Sequence, residues 1–270
     1  MTRPHTGLPY LDAGRDRPGA VLAMAHRGGA KHPEIVGLEN TLTAFAHAVA
    51  LGYTYLETDV HATRDGVLLA FHDAVLDRVT DGTGAIAELT HAEVAQARVA
   101  GREHVPTMAS LLDAFPQARF NIDVKSDAAV DLLVRLVRST GSQDRVCVGS
   151  FSERRLARVR RSLGPRVATS CGPVTVALTR FADRRTSRLL TRNRGNVLQV
   201  PRARKGLEIV TRSFVEAAHA HGRPVHVWTV DDPPTMHELL DLGVDGIITD
   251  RTDLLRDVLL ARSQWTGEPA

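Results

Sequence analysis

Cysteine is scarce in this chain: there are two in 270 residues, Cys147 and Cys171, far apart and each in an apolar run. A pair so sparse does not make a disulfide framework, and it reads as two reduced core side chains in a reducing compartment. Long apolar runs are missing too. The opening MTRPHTGLPYLDAGRDRPG has no uninterrupted apolar region of signal-peptide length. No later segment reaches the roughly 18 apolar residues of a spanning helix. The expectation is a soluble, cytoplasmic protein. Aromatic residues make up only 4% of the chain, so platforms for stacking nucleic-acid bases are few and a nucleic-acid partner is not expected. Repeats, low-complexity tracts and an internal linker are also absent, which leaves one domain as the economical reading.

What is present is a globular composition, 43% hydrophobic, with a formal charge of +3 and a pI near 9.2. A mild cationic excess favours anionic substrates. Arginine is clustered in SERRLARVRRSLG (152–164) and TRFADRRTSRLLTRNRG (179–195). Solvated helix faces explain most such clusters. The sharper alternative is a surface that makes transient contact with anionic lipid.

Eight short apolar runs rich in β-branched residues recur: 21–26, 53–60, 119–124, 145–151, 165–171, 196–201, 224–230 and 245–250. Between them lie segments with apolar spacing of three and four, such as TLTAFAHAVALG, AAVDLLVRLVRSTG and TMHELLDLG. Strands that alternate with helices and are apolar along their length imply a parallel sheet covered on its faces. The fold class is α/β, a (β/α)8 TIM barrel, with the catalytic end at the strand C-termini. A doubly wound open sheet is the alternative, but this chain has no glycine-rich phosphate loop of the usual form after its first strand. One piece breaks the alternation: after YTYLETDVHA only TRDG precedes VLLAFHD, so a small antiparallel hairpin insertion follows strand 2 and returns His72 towards that strand's C-terminal end. The expected divisions are an N-terminal extension (1–20), one barrel domain (21–262) and a C-terminal tail (263–270).

The chemistry-bearing residues fall at strand ends. Glu57 and Asp59 are two apart in a strand, so both carboxylates share one face, about 6.5 Å apart along it. That suits one cation, with an exposed acidic edge as the plain alternative. An all-oxygen shell favours Mg²⁺ or Ca²⁺ over zinc. Asp123 and Lys125 repeat the device, either serving cation and phosphate together or forming a salt bridge. His26 and His72 both sit at strand ends, and histidine is the side chain best placed to trade protons at neutral pH. Arg27 has the planar fork that grips phosphate oxygens. Gly28 and Gly29 let the backbone turn without a side chain in the substrate's way, and Asn40 or Thr41 can cap the next helix. The other ten histidines read as helix, loop or core residues with no acidic cluster to attach to them.

Taken together, AHRG (25–28), ENT (39–41), LETDV (56–60), FHD (71–73), DRVTDGTG (77–84), NIDVK (121–125), VWTV (227–230) and GVDGIITD (243–250) resemble, in family order, a glycerophosphodiester phosphodiesterase over residues 21–255. The resemblance implies metal-dependent hydrolysis of glycerophosphodiesters to sn-glycerol 3-phosphate and an alcohol, with attack by the substrate's own glycerol hydroxyl as one route. Carried over by position, the catalytic histidines are His26 and His72, and the ligands of one divalent cation (Mg²⁺ or Ca²⁺) are Glu57, Asp59 and Asp123. Arg27, Glu39, Lys125 and Trp228 fall on substrate-binding positions. The chain departs from the family pattern at Asp123, more often glutamate; at Leu38, commonly proline; and at Asp231, often asparagine, where a negative charge near the pocket rim would alter head-group choice. The alternatives are a lysophospholipase D-like enzyme acting on lipid phosphodiesters at a membrane surface, and a catalytically silent barrel that binds a phosphorylated ligand.

Overall fold

A computed structural model describes residues 4–13 and 19–267. In chain order, its elements begin with helix α1 (Pro9–Asp12), strand β1 (Leu22–His26), α2 (Leu42–Ala50), β2 (Tyr55–Ala62) and β3 (Leu68–Ala70). A loop-rich excursion carries α3 (His91–Val94) and the short antiparallel pair β4 (Arg98–Val99) and β5 (Glu103–His104). Then follow α4 (Met108–Ala114), β6 (Arg119–Val124), α5 (Asp127–Thr140), β7 (Val146–Gly149), α6 (Glu153–Leu163) and β8 (Ala168–Thr169). Next come α7 (Pro173–Phe181), α8 (Arg184–Thr191), β9 (Leu198–Pro201), the hairpin of β10 (Ala203–Arg204) and β11 (Leu207–Glu208), and α9 (Arg212–Ala220). The chain closes with β12 (Val225–Trp228), α10 (Pro233–Leu242), β13 (Gly246–Thr249) and α11 (Thr252–Ala261).

Eight strands lie side by side in the order β8, β7, β6, β2, β1, β13, β12, β9, every neighbouring pair parallel. A parallel bridge between Ser170 and Val197 joins the two ends, so the sheet closes into the barrel expected from eight apolar runs. β3 pairs antiparallel with β2, with Ala70 opposite Val60. The turn between them is closed by Thr63 N–H donating to Val67 O at 3.0 Å, with Gly66 at φ 81°. Phe71 N–H then donates to Asp59 O at 2.9 Å, which brings the next residue, His72, alongside the carboxylate-bearing part of β2.

Strand periodicity and register position the site. Side chains alternate across a strand, so Tyr55, Glu57 and Asp59 share one face. Register sets His26 beside Glu57, and Asp59 beside Asp123. The apolar side chains at the other end of the barrel, Leu22, Met24, Tyr55, Cys147, Ala168, Val197 and Ile248, form a separate core with Leu8, Tyr10 and Leu11. The N-terminal segment, irregular in sequence, thus contributes a one-turn helix as a plug. Tyr10 meets Tyr55 edge-on at 5.1 Å, and the Tyr55 hydroxyl donates to Tyr10 O at 2.5 Å. Both cysteines are buried and free, and burial pushes the Cys171 thiol up to about 11. Leu11 is 1% exposed in this plug. Leu11→Ala is expected to cost about 3 kcal/mol in urea unfolding, and a loss under about 1 kcal/mol would show that the plug is not part of the cooperative core.

Candidate active site

At the C-terminal end of the strands the barrel opens into a cavity of about 1090 Å³, a size suited to a small organic ligand. His26, Arg27, Glu57, Asp59, His72, Asp123, Lys125 and Trp228 all line it. Glu39 does not line it and stands behind Arg27, accepting from Arg27 Nη1 at 3.1 Å.

Each of the two histidines is oriented by a carboxylate. His26 Nδ1 lies 2.6 Å from Asp250 Oδ1, the residue just after β13, and His26 Nε2 is 3.7 Å from Glu57 Oε2. Burial pulls the His26 pKa down, but the Glu57 charge and the Asp250 bond outweigh it and hold it above the usual value. His72 Nδ1 lies 2.5 Å from Asp73 Oδ1. In both pairs a proton on Nδ1 is donated to the carboxylate, which leaves Nε2 as the exchangeable nitrogen. Arg78 ties the two loops together, donating to Asp73 at 2.5 Å and to both Glu39 oxygens at 2.9 and 2.7 Å. The Arg78 bond is the main reason the Asp73 carboxyl is held down at about 2.

The carboxylates beneath are crowded. Glu57 is fully buried, and burial first, then the Asp59 charge, pushes its pKa up to about 8. Lys125 Nζ sits between Asp59 Oδ1 at 2.9 Å and Asp123 Oδ2 at 2.7 Å, so the salt bridge foreseen as the plain alternative is formed and extends to a second acid. Arg27 Nε is 3.3 Å from Asp59 Oδ2, yet neither atom has a hydrogen-bond partner. Asp59 Oδ2 thus has the Arg27 charge beside it but accepts no hydrogen bond among the described residues, and a buried carboxylate oxygen in that state has room for a further cation. Burial and the Asp59 charge make an ionised Glu57 costly without further positive charge beside it, and with only oxygen donors in the set, Glu57, Asp59 and Asp123 suit one hard divalent cation.

Some local expectations need correcting. Gly28 and Gly29 do turn the backbone, at φ 87° and 94°. A side chain there would strike neighbouring helices rather than the substrate: a Cβ on Gly28 would lie 2.7 Å from Ala44 Cβ of α2, and one on Gly29 2.8 Å from the Thr252 side chain of α11. Thr41 is the helix cap, accepting from Ala44 N–H, while Asn40 is buried and accepts from the Thr58 hydroxyl at 2.7 Å. Asp231 does not line the cavity; it is 2.6 Å from Lys31 Nζ and accepts from Asp250 N–H at 2.9 Å. Its charge is therefore engaged beside the site. Two of the other ten histidines, His32 and His47, group with a single carboxylate, Glu34, their ligand atoms within 4.8 Å of one another, away from the cavity. His219 likewise pairs with Asp245 at 2.7 Å, pinning α9 to the barrel.

Asp250, Asp73 and Arg78 hold the site together, although the sequence alone assigns them no role. Each lies within a stretch that resembles the family, FHD, DRVTDGTG or GVDGIITD, and that membership is the available signal.

The profile of the glycerophosphoryl diester phosphodiesterase family matches residues 26–254, most of the chain. The chain belongs to that family. A probable glycerophosphodiester phosphodiesterase 2 of Mycobacterium tuberculosis is 42% identical over 254 residues, covering 93% of this chain and 95% of that one. The crystal structure of a glycerophosphoryl diester phosphodiesterase homologue from Silicibacter pomeroyi superposes with a TM-score of 0.80 at 25% identity, covering 96% of this chain and 100% of the other. A phosphodiesterase from Oleispira antarctica, solved in complex with the product sn-glycerol-3-phosphate, shares the fold with a TM-score of 0.73 at 22% identity, over 88% and 96% of the two chains. As a member of the glycerophosphoryl diester phosphodiesterase family this chain is a hydrolase of phosphodiesters, and dependence on a divalent cation is general in that family. No helix among the described residues is long and apolar enough to cross a membrane.

Proposed function

We propose that the chain hydrolyses soluble glycerophosphodiesters to sn-glycerol 3-phosphate and an alcohol, with His26 and His72 as the proton-transfer pair. The observation that carries this reading is the pair of carboxylate-oriented histidines, His26 with Asp250 and His72 with Asp73, lining one cavity above a buried acidic group. A phosphodiester resists hydrolysis because its anionic oxygens repel a nucleophile and its leaving alkoxide is poor. Arg27 and Lys125 hold positive charge where those oxygens would lie. One histidine takes the nucleophile's proton at Nε2 and the other gives a proton to the leaving oxygen, each imidazole held by its own carboxylate. Glu57, Asp59 and Asp123 would hold Mg²⁺ or Ca²⁺, which supplies further positive charge for the phosphate and acidifies a hydroxyl group. Trp228, set edge-on against Phe151 at 5.8 Å, gives the alcohol part of the substrate an aromatic wall.

A second reading rests on the far half of the cavity, where Phe151, Val176, Phe181, Leu207 and Ile209 line an apolar wall that a glycerol head group does not need. A lipid phosphodiester would fill it. Turnover of glycerophosphocholine and lysophosphatidylcholine, compared at equal concentration, separates the two. The proposal expects release of sn-glycerol 3-phosphate from the first at a kcat/KM at least about tenfold above any turnover of the second. Turnover of the lysolipid alone would put the lipid reading in its place, and none of either by folded, cation-loaded protein would leave a binding barrel.

A further inference from the structure

Helices α7 and α8 are built inside out. Their buried positions are Thr175, Thr179, Ser187 and Thr191, none more than 4% exposed, whereas Val174, Phe181, Leu189 and Leu190 stand 47–76% in solvent. The inward hydroxyls of Thr179 and Thr191 are satisfied locally, donating to the carbonyls of Thr175 and Ser187 at 2.9 and 2.7 Å. Arg223 then locks the end of α8 by donating to Thr191 Oγ1 at 2.8 Å and Gly195 O at 3.1 Å. Small hydroxyl side chains thus fill the inner positions of both helices and leave these large apolar ones outside. Exposed apolar side chains gathered on one face of a protein mark a surface that meets something apolar.

The charge around that face selects the occupant. Residues 180–205 contain eight arginines and one lysine against a single carboxylate, Asp183, and of these arginines Arg184 and Arg202 pair with Glu216 and Glu238 of neighbouring helices. That carboxylate is spent on capping α8, accepting from Arg185 N–H and Thr186 N–H. In the other arginine cluster Arg155 and Arg158 are paired with Asp127 and Asp131 of α5, whereas Arg185, Arg188, Arg192 and Arg194 remain exposed. The β10–β11 hairpin adds exposed Arg204, Lys205 and Leu207 to the same rim, and Phe181, Arg204 and Leu207 also line the mouth of the active-site cavity. A second copy of the chain would bring like charges together across a two-fold axis, which disfavours self-association. Leucines interspersed with arginines on a solvent-facing helix are the composition that lies in a lipid interface.

From this we infer that α7, α8 and the β10–β11 hairpin form a docking face for an anionic phospholipid bilayer, around the mouth of the active site. Leucine and phenylalanine side chains enter the head-group boundary, and the arginines and lysine meet lipid phosphates.

The test is co-sedimentation of the full chain with vesicles of phosphatidylcholine alone or with about one-fifth phosphatidylglycerol, at low salt and at about 0.5 M salt. The parent protein is expected to sediment with the anionic vesicles and not the neutral ones, and to be released at high salt. Reversing Arg185, Arg188 and Arg192 to glutamate, or replacing Leu189 and Leu190 by serine, is expected to weaken binding about tenfold or more. Turnover of soluble glycerophosphocholine should be unchanged in both variants, because none of these five residues lines the cavity. Equal binding to neutral vesicles, parent-like binding by both variants, or a concentration-dependent dimer lost in the leucine variant would each overturn the inference. Sedimentation is read without turnover, so its failure is distinct from failure of the proposed reaction.

Discussion

Replacing His26 or His72 by alanine is expected to lower kcat on glycerophosphocholine by about three orders of magnitude, the range a positioned acid or base contributes. KM should move little, because Arg27 and Lys125 carry the phosphate in this scheme. The fold should survive both changes. His26 is anchored by one side-chain bond to Asp250 and His72 by one to Asp73, and neither histidine belongs to an apolar cluster. The two effects should also fail to multiply in the double variant, since residues that act as a unit are not additive. Activity within about tenfold of the parent in either single variant, with unchanged circular dichroism, would remove that histidine from proton transfer.

Asp59→Asn is the second large effect. The side chain keeps its shape but loses the charge that faces Lys125 Nζ at 2.9 Å and Arg27 Nε at 3.3 Å. A nearly isosteric amide cannot hold a hard cation as a carboxylate does, and it leaves two half-buried basic side chains, Arg27 and Lys125, without their shared partner. Turnover is expected to fall at least about a hundredfold and to stop responding to added Mg²⁺ or Ca²⁺. A variant that still follows cation concentration as the parent does would show that Asp59 is not a ligand. Asp59 Oδ2, buried and accepting no hydrogen bond among the described residues, is the feature that makes this substitution more telling than one at Asp123, whose Oδ2 already has Lys125 at 2.7 Å.

The barrel was legible because its strands are buried on both faces and therefore read as continuous apolar runs, each bounded by turn residues. The site was legible where two-residue spacing within a strand decides it, as for Glu57 with Asp59 and Asp123 with Lys125. Contacts that depend on closure of the barrel were not. His26 and Asp250 are 224 residues apart and meet because β1 and β13 are neighbours, a fact of topology that no local window contains. Lys125 was foreseen against Asp123 but not as the bridge to Asp59, since that contact needs the β2–β6 register. The reason for Gly28 lay in α2, whose Ala44 approaches too closely for any Cβ. The N-terminal plug was hidden because a single turn, Pro9–Asp12, is too short to show a period. In α7 and α8 the usual rule that apolar residues point inward failed, since hydroxyl side chains occupy the buried positions there.

The most direct measurement is release of sn-glycerol 3-phosphate from glycerophosphocholine by protein stripped with chelator, then supplied with Mg²⁺ or Ca²⁺. The account predicts no release from the stripped protein, recovery with at least one of the two cations, and no recovery in Asp59→Asn. Full turnover by the stripped protein would contradict a cation held by Glu57, Asp59 and Asp123.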